Sequence, residues 1–263
     1  NTGMPKKGAS WRSEQLTYIA KILHRRNSSE EFSNLIQSAK NELLDTEQNS
    51  NNQLFIKSKE RNINLLIKEF NRAKNLDPKL VESLAKAKSK GYESWQEAKK
   101  KSDFKVFLPF FEELVKLRIE EAKQISDQYS PWETLAQPFE PELTLKWLNK
   151  MFQPLKDTLP GLIRGISKSK KYHWDLSPES QQNLCSKLLD EFGRDKDLVV
   201  VGKSPHPFSI TLGPNDYRIT TRIVEGEPLS SFLATAHEWG HSIYEQGLPS
   251  QSHQWFAWPL GQA

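Results

Sequence analysis

Two histidines four residues apart, with a glutamate directly after the first, form the stretch with the clearest chemistry: His237-Glu238-Trp239-Gly240-His241. Apolar residues from Pro228 to Pro249 recur with a period of 3.6, so we predict an amphipathic helix over 228–247. Residues four apart on a helix lie one turn above each other, about 6 Å along its axis, and two imidazoles can bind one metal ion there. Glu238 then lies close enough to take a proton from a metal-bound water.

The apolar positions of this helix share one face, which we predict to face the core. They are Leu229, Phe232, Leu233, Ala236, Gly240, Ile243 and Tyr244. An alternative is that His237 and His241 are core or boundary histidines that hydrogen-bond to their neighbours. A chance HExxH match is expected in about one such chain in a hundred, and its position inside a well-delimited helix favours the metal interpretation.

Composition and charge narrow the class of protein. The chain has 263 residues, enough for one substantial core, and its 37 Lys+Arg and 33 Asp+Glu give a net charge of +4. These charges alternate along helical segments, which indicates solvated faces and no nucleic-acid partner. No apolar run approaches the roughly 20 residues of a membrane span, and no leader opens the chain, so we expect a cytoplasmic protein without membrane contact. The single cysteine, Cys185, excludes an intramolecular disulfide, and its helical context favours a buried structural thiol.

The pattern along the chain predicts a mainly α protein with a small β-sheet before the HExxH helix. Residues 1–128 form an N-terminal helical region, for which a long-helix or coiled-coil scaffold is an alternative. Residues 129–197 form a packed helical connection of shorter helices, punctuated by proline. Residues 198–226 contain short β-branched runs typical of strands. Strand alternation places Arg218, Thr220 and Arg222 on one face, and Tyr217, Ile219 and Thr221 on the other.

Three short motifs follow one another in the last third of the chain: His206-Pro207-Phe208, Asp216 to Thr220 (DYRIT), and His237 to His241. In type, order and spacing they resemble the HPF, DxRxT and HExxH motifs of the thermostable carboxypeptidase Taq family of zinc metallocarboxypeptidases. The resemblance extends through YEQGLP and, more loosely, back to the opening NTGMP. It implies a helical zincin-like peptidase, and residues 1–263 would form a single partial catalytic domain, cut at both ends relative to the family.

The resemblance also implies a metal site that this chain does not complete. In the family the third zinc ligand is a glutamate on a later helix, and the sequence stops before that motif. Glu245 is eight residues from His237, about 12 Å along a helix, too far for both to bind one ion. His253 could fold back as a ligand, although a lone loop histidine is usually polar surface. We therefore expect a fragment whose own activity is impaired.

By this resemblance the protein is a hydrolase that releases single amino acids from peptide C-termini. Zinc is the expected cofactor, with cobalt or manganese as alternatives, and Glu238 is the general base. His206, Asp216, Arg218 and Thr220 are the candidate substrate-binding residues. Arg218 is suited to the substrate carboxylate, although Asp216 and Arg218 can equally form a structural pair; His206 either lines the cleft or fixes its loop.

The family also implies peptide substrates and a homodimer of the full-length protein. Two other classes of function stay open from the sequence. One is an HExxH endopeptidase or oligopeptidase, which yields internal fragments. The other is a non-catalytic helical binding module with an incidental metal motif.

Overall fold

The computed structural model describes residues 5–49, 53–166, 174–213 and 215–248. These residues fall into two compact units, one up to residue 166 and one from residue 174. Helices dominate the first unit, and the second combines two helices with a three-stranded sheet. The predicted fold class, mainly α with a small sheet before the HExxH helix, is confirmed. Among the described helices, none has the length and apolar character needed to cross a membrane.

Five long helices build most of the first unit. They are α1 (Ala9–Asn27), α2 (Glu30–Asn49), α3 (Gln53–Lys74), α4 (Pro78–Lys101) and α5 (Leu108–Ile125), with short 3-10 turns at Lys6–Gly8 and Phe104–Val106. Helix α4 packs against α1 and α5, and α2 packs against α3. The apolar stripe of α4 is buried as its spacing predicts, through Leu80, Leu84 and Ala87.

A buried carboxylate joins two of these helices. Glu121 of α5 is 6% exposed. It accepts a hydrogen bond from Arg72 of α3 at 3.2 Å and one from Arg118 of its own helix at 2.5 Å. Because a charge buried without partners is costly, these two guanidinium groups are what allow Glu121 to lie inside.

Two further helices complete this unit, α6 (Pro131–Ala136) and α7 (Leu145–Gly165). The prediction of shorter helices is wrong for α7, which runs through Pro154 and Pro160. A proline keeps a helical φ and removes one backbone donor, which here does not end the helix. None of the side chains of α7 is buried, so the predicted packing of this segment is also not found.

The second unit has two helices around a small sheet. Its elements are α8 (Pro178–Glu191), β1 (Val199–Lys203), β2 (Phe208–Gly213), β3 (Asp216–Thr221) and α9 (Pro228–Gln246). The strand order is β1-β3-β2, with β1 parallel and β2 antiparallel to β3. Arg218 lies opposite Val200 on one side and Ile210 on the other. Strand β3 is therefore central, and it leads directly to α9.

The core of this unit lies between the sheet and helices α8 and α9. It is formed by Leu189, Val199, Tyr217, Ile219 and Trp239. Tyr217, Ile219 and Thr221, which the alternation places on one face, are buried, and Arg218 of the other face is exposed, but Thr220 of that other face is buried as well. Arg222 follows the end of β3, so its predicted place on that strand is wrong. Cys185 is 3% exposed, which confirms the buried thiol.

The predicted core face of α9 is also wrong. Its buried residues are Pro228, Ser231, Thr235, Glu238, Trp239 and Ser242. In contrast, Leu229, Leu233, Ile243 and Tyr244 are 53%, 64%, 49% and 52% exposed. The small hydroxyl side chains let the helix lie close to the sheet and hydrogen-bond to it, whereas the large apolar residues point the other way.

Candidate metal centre

His237 and His241 lie on neighbouring turns of α9 with their side chains facing each other. Their Nε2 atoms are 3.2 Å apart, and the ring centroids are 4.8 Å apart at 88°. Two nitrogens that bind one zinc ion at 2.0–2.1 Å, with an angle of about 100° at the metal, are separated by about this distance. The pair therefore fits one tetrahedral metal ion with two of its ligands.

The described residues do not supply a third ligand. Within the described ranges no cluster of three His, Cys, Asp or Glu side chains can hold a metal ion. His253, the fold-back candidate, lies outside the described residues. Because structural and catalytic zinc sites have at least three protein ligands, a metal at His237 and His241 needs another group.

Glu238 follows the first histidine and lies on a different side of the helix. It is 7% exposed, on the face that α9 turns toward the rest of its unit, whereas His237 is exposed. The helix thus holds a sheltered carboxylate next to an accessible imidazole. Such an arrangement can accept a proton from a water bound beside it.

A chain of hydrogen bonds beneath α9 fixes the helix on the sheet. The hydroxyl of Ser231 donates to Oε1 of Gln181 in α8 at 3.0 Å and accepts from the backbone N–H of Val224 at 3.1 Å. The Oγ1 atoms of Thr221 and Thr235 are 2.7 Å apart. The sequence analysis did not predict this network. Small hydroxyl residues recur at helical spacing at positions 231, 235 and 242, and this pattern could have indicated it.

Glu245 lies one turn beyond His241 and is half-buried. Burial raises the pKa of its carboxyl group, and the nearby Thr211 hydroxyl and the charge of His241 offset part of this shift. This position agrees with the expectation that Glu245 and His237 do not bind the same metal ion.

Asp216 and Arg218 form a bidentate ion pair on the open face of the sheet. Nε and Nη2 of Arg218 donate to the two carboxylate oxygens of Asp216 at 2.8 and 2.9 Å. The hydrogen bonds from Arg218 lower the pKa of Asp216 and raise that of Arg218. Because α9 packs on the opposite face of the sheet, this pair and the histidine pair are not brought together on one face.

Thr220 and His206 lie where the other two motifs meet. The hydroxyl of Thr220 accepts the backbone N–H of Phe208 at 3.0 Å, so the HPF segment is joined to the DYRIT strand. Nδ1 of His206 lies 2.6 Å from the carbonyl oxygen of Pro207, which can only accept, so Nδ1 carries the proton. Both contacts stabilise the loop before β2.

Comparisons with known proteins agree with these motifs. The family model described as carboxypeptidase Taq (M32) metallopeptidase matches residues 1–263. "Thermostable carboxypeptidase 1" of Thermus thermophilus is 29% identical, and the match covers 95% of this chain and 51% of that protein. "Carboxypeptidase 1" of Bacillus subtilis is 34% identical over 166 residues, which are 61% of this chain and 33% of that protein.

A solved structure described as "BsuCP" has the same fold. It superposes with a TM-score of 0.83 at 28% identity, and the match covers 95% of this chain and 50% of that one. The chain spans about half the length of the curated relatives that it matches over most of its own length. Because the family model matches residues 1–263 of this chain, the chain belongs to the carboxypeptidase Taq (M32) metallopeptidase family.

Proposed function

We propose that this chain carries the metal-binding helix of a metal-dependent carboxypeptidase that releases single amino acids from peptide C-termini. The observation that carries the proposal is the 3.2 Å separation of the Nε2 atoms of His237 and His241, beside the buried Glu238. The family supplies the substrate class, since both curated relatives described above are named carboxypeptidases.

His237 and His241 would hold the metal through Nε2, together with a third ligand from outside the described residues. Zinc is the metal that this nitrogen pair favours, with cobalt or manganese as alternatives. When bound, such a metal polarises the scissile carbonyl and acidifies a water. Glu238 acts as the general base that takes the proton of the attacking water and passes it to the leaving amine.

The substrate-binding proposals follow from the remaining contacts. Arg218 uses two of its five N–H groups on Asp216 and lies on the face of the sheet opposite α9, so we propose that Asp216 and Arg218 form a structural pair and do not bind the substrate carboxylate at the histidine pair. Nδ1 of His206 lies 2.6 Å from the carbonyl oxygen of Pro207, and we propose that the ring orients this segment beside the substrate. Thr220 supports the HPF loop through Phe208.

We further propose that residues 1–263 are part of one catalytic domain and that the full-length protein is a homodimer.

The test uses a chimera in which this chain replaces the matched part of the Thermus thermophilus relative, so that the unmatched parts of that protein flank it; this chimera is here named the extended chain. We expect the extended chain to release free C-terminal residues from peptides. Glu238→Gln should keep the bound metal and lower kcat by about 100-fold to 10,000-fold, the range of general-base catalysis.

Glu227→Gln is the matched control, because Glu227 is an exposed acidic residue just before α9. It should leave both metal content and turnover unchanged. A Glu238→Gln protein that cleaves at the parent rate would contradict the role of Glu238. Release of internal fragments in place of single C-terminal residues would identify an oligopeptidase or endopeptidase.

A further inference from the structure

Three cations and one carboxylate from helices α3, α4 and α5 form a charged cluster in the first unit. Glu121 of α5 accepts hydrogen bonds from Arg72 of α3 at 3.2 Å and from Arg118 of α5 at 2.5 Å. Lys88 of α4, the helix that packs on α5, belongs to the same group, since the charges of these three side chains all act on its ammonium group. We call these four residues the basic cluster. Three positive charges and one negative charge leave it with a net charge of +2.

The carboxylate and the cations of the basic cluster differ in exposure. The side chain of Glu121 is 8% exposed, whereas those of Arg72 and Arg118 are 27% and 38% exposed. Lys88 is exposed as well. Each guanidinium group has five N–H groups and donates to Glu121 through one nitrogen, so donors remain for a second acceptor. The negative group is therefore sheltered, and part of each cation reaches solvent.

The excess of positive charge is unfavourable for the folded chain. Burial and the charge of Arg118 lower the pKa of Lys88, and the attraction of Glu121 offsets only part of this shift. A bound anion would remove the repulsion between the cations. A dianion neutralises a net charge of +2, whereas a monoanion leaves one positive charge uncompensated.

We propose that the basic cluster binds a phosphate group as a dianion. The remaining N–H groups of Arg72 and Arg118 bind its oxygens, because the planar guanidinium fork matches phosphate geometry, and Lys88 contributes a third positive charge. Glu121 is the positioning residue that holds both guanidinium groups in place. The ligand is inorganic phosphate or a small phosphate monoester. This site goes beyond the proposed peptidase activity and uses residues of the first unit alone.

Labelling of lysine amines tests the proposal in the extended chain. An uncharged N-hydroxysuccinimide ester reacts with neutral amines, and mass spectrometry of peptides gives the rate at each lysine. Lys90, an exposed lysine of the same helix as Lys88, is the internal control. Rates are compared in inorganic phosphate, in glycerol 3-phosphate and in acetate at the same ionic strength, so that general screening is equal.

We expect phosphate to slow the reaction at Lys88 by about tenfold relative to acetate and to leave Lys90 unchanged. A bound dianion raises the pKa of this amine, and each pKa unit changes the neutral fraction about tenfold. Slowing by inorganic phosphate alone would assign the site to the free ion, and slowing by glycerol 3-phosphate as well would assign it to phosphate monoesters. Either result supports the proposal.

Substitutions locate the effect within the basic cluster. Arg72→Gln and Arg118→Gln should each abolish most of the phosphate effect at Lys88, and each leaves Glu121 with one arginine partner. Arg61→Gln, which changes an exposed arginine of α3, is the matched control and should retain the effect. If circular dichroism shows that one cluster variant does not fold, the other variant carries the comparison.

Four results would overturn the proposal. The first is no slowing at Lys88 by either phosphate compound, and the second is equal slowing at Lys88 and Lys90, which would identify a general salt effect. The third is slowing by acetate as strong as that by phosphate, because the cluster would then not distinguish a dianion. The fourth is a full phosphate effect in both arginine variants. None of these readouts requires bound metal or peptide cleavage, so failure here is distinguishable from failure of the proposed function.

Discussion

The Nε2 atoms of His237 and His241 lie 3.2 Å apart across one turn of α9. The four-residue spacing on a helix places both rings on one side, one turn apart, and α9 itself is held in its unit through Trp239 and the hydroxyls of Ser231 and Thr235. The backbone positions of the two histidines are therefore fixed by the packing of α9.

The first prediction concerns metal binding by this pair. In the extended chain we expect about one zinc ion per chain. Loss of a residue that only supports a metal ligand weakens metal binding by up to ~100-fold, so loss of a ligand itself, in His237→Ala or His241→Ala, should weaken it by more. Isothermal titration calorimetry with a competing chelator measures the change. His24→Ala, in helix α1, is the control and should bind as the parent does. Equal affinity in the His237→Ala protein would rule out this pair as ligands.

The second prediction concerns the hydrogen bonds that hold α9. Thr235→Val removes the contact with Thr221, and since the site is fully buried, unfolding free energy should fall by about 1–2 kcal/mol. Thr134→Val is the matched control, because its buried hydroxyl has no hydrogen-bond partner among the described residues. The Thr134→Val substitution should leave the unfolding free energy unchanged or raise it. Urea denaturation compares the two, and equal losses would show that the Thr221–Thr235 contact contributes nothing.

The third prediction concerns the exposed pair of Asp216 and Arg218. Arg218 lowers the pKa of Asp216, so the pair stabilises the fold above the unfolded pKa of Asp216, and this contribution is lost as pH falls through the lowered folded pKa. We expect Arg218→Gln to return the pKa of Asp216 toward its ordinary value, as followed by carboxyl NMR titration.

Asp190 provides the internal reference for that titration. Its pKa is lowered by Arg194 and Lys196, so it should stay low in the Arg218→Gln protein. A rise in the pKa of both carboxyl groups would indicate a general change in the fold. An unchanged pKa of Asp216 would show that its partner is another group.

The fourth prediction concerns the buried carboxylate of the first unit. Glu121→Ala leaves Arg72 and Arg118 without their shared acceptor; because these two side chains are 27% and 38% exposed and water can solvate them, the unfolding free energy should fall by about 2 kcal/mol. Glu14→Ala is the control, since Glu14 is 60% exposed and lies 3.7 Å from Lys86. That change should stay within about 0.5 kcal/mol. Thermal unfolding followed by circular dichroism distinguishes the two, and similar effects would contradict a special role of the buried pair.

Local sequence patterns were sufficient for the elements of the candidate site. The run from Pro228 predicted the helix that ends at Gln246, and the alternation from Tyr217 to Thr221 predicted the strand in which Arg218 lies on the face opposite Tyr217 and Ile219. The spacing of His237 and His241 was enough to predict that their rings meet. Each of these features depends on neighbours in the chain, where the period of a helix or strand fixes the geometry.

Tertiary contacts decided which side of α9 is buried. Hydrophobicity placed Leu233 and Ile243 inside, but the side that packs on the sheet carries Ser231, Thr235 and Ser242. A hydrophobic pattern identifies an apolar face without identifying what packs against it, and here contacts with residues distant in sequence decided which face of α9 is buried. In the same way, the DYRIT motif contained Arg218 and Asp216, but the packing of α9 on the other side of the sheet decided that they lie apart from the histidine pair.

The sequence by itself thus determined the family, the order of helices and strands, and the two histidines with their glutamate. The tertiary structure alone decided how those pieces are oriented: the hydroxyl network under α9, the ion pair on the open face of the sheet, and the exposure of Leu233 and Ile243 on that helix. The physical reason is that motif spacing acts through the local backbone, whereas orientation depends on side chains that are distant in sequence, such as Gln181 and Ser231.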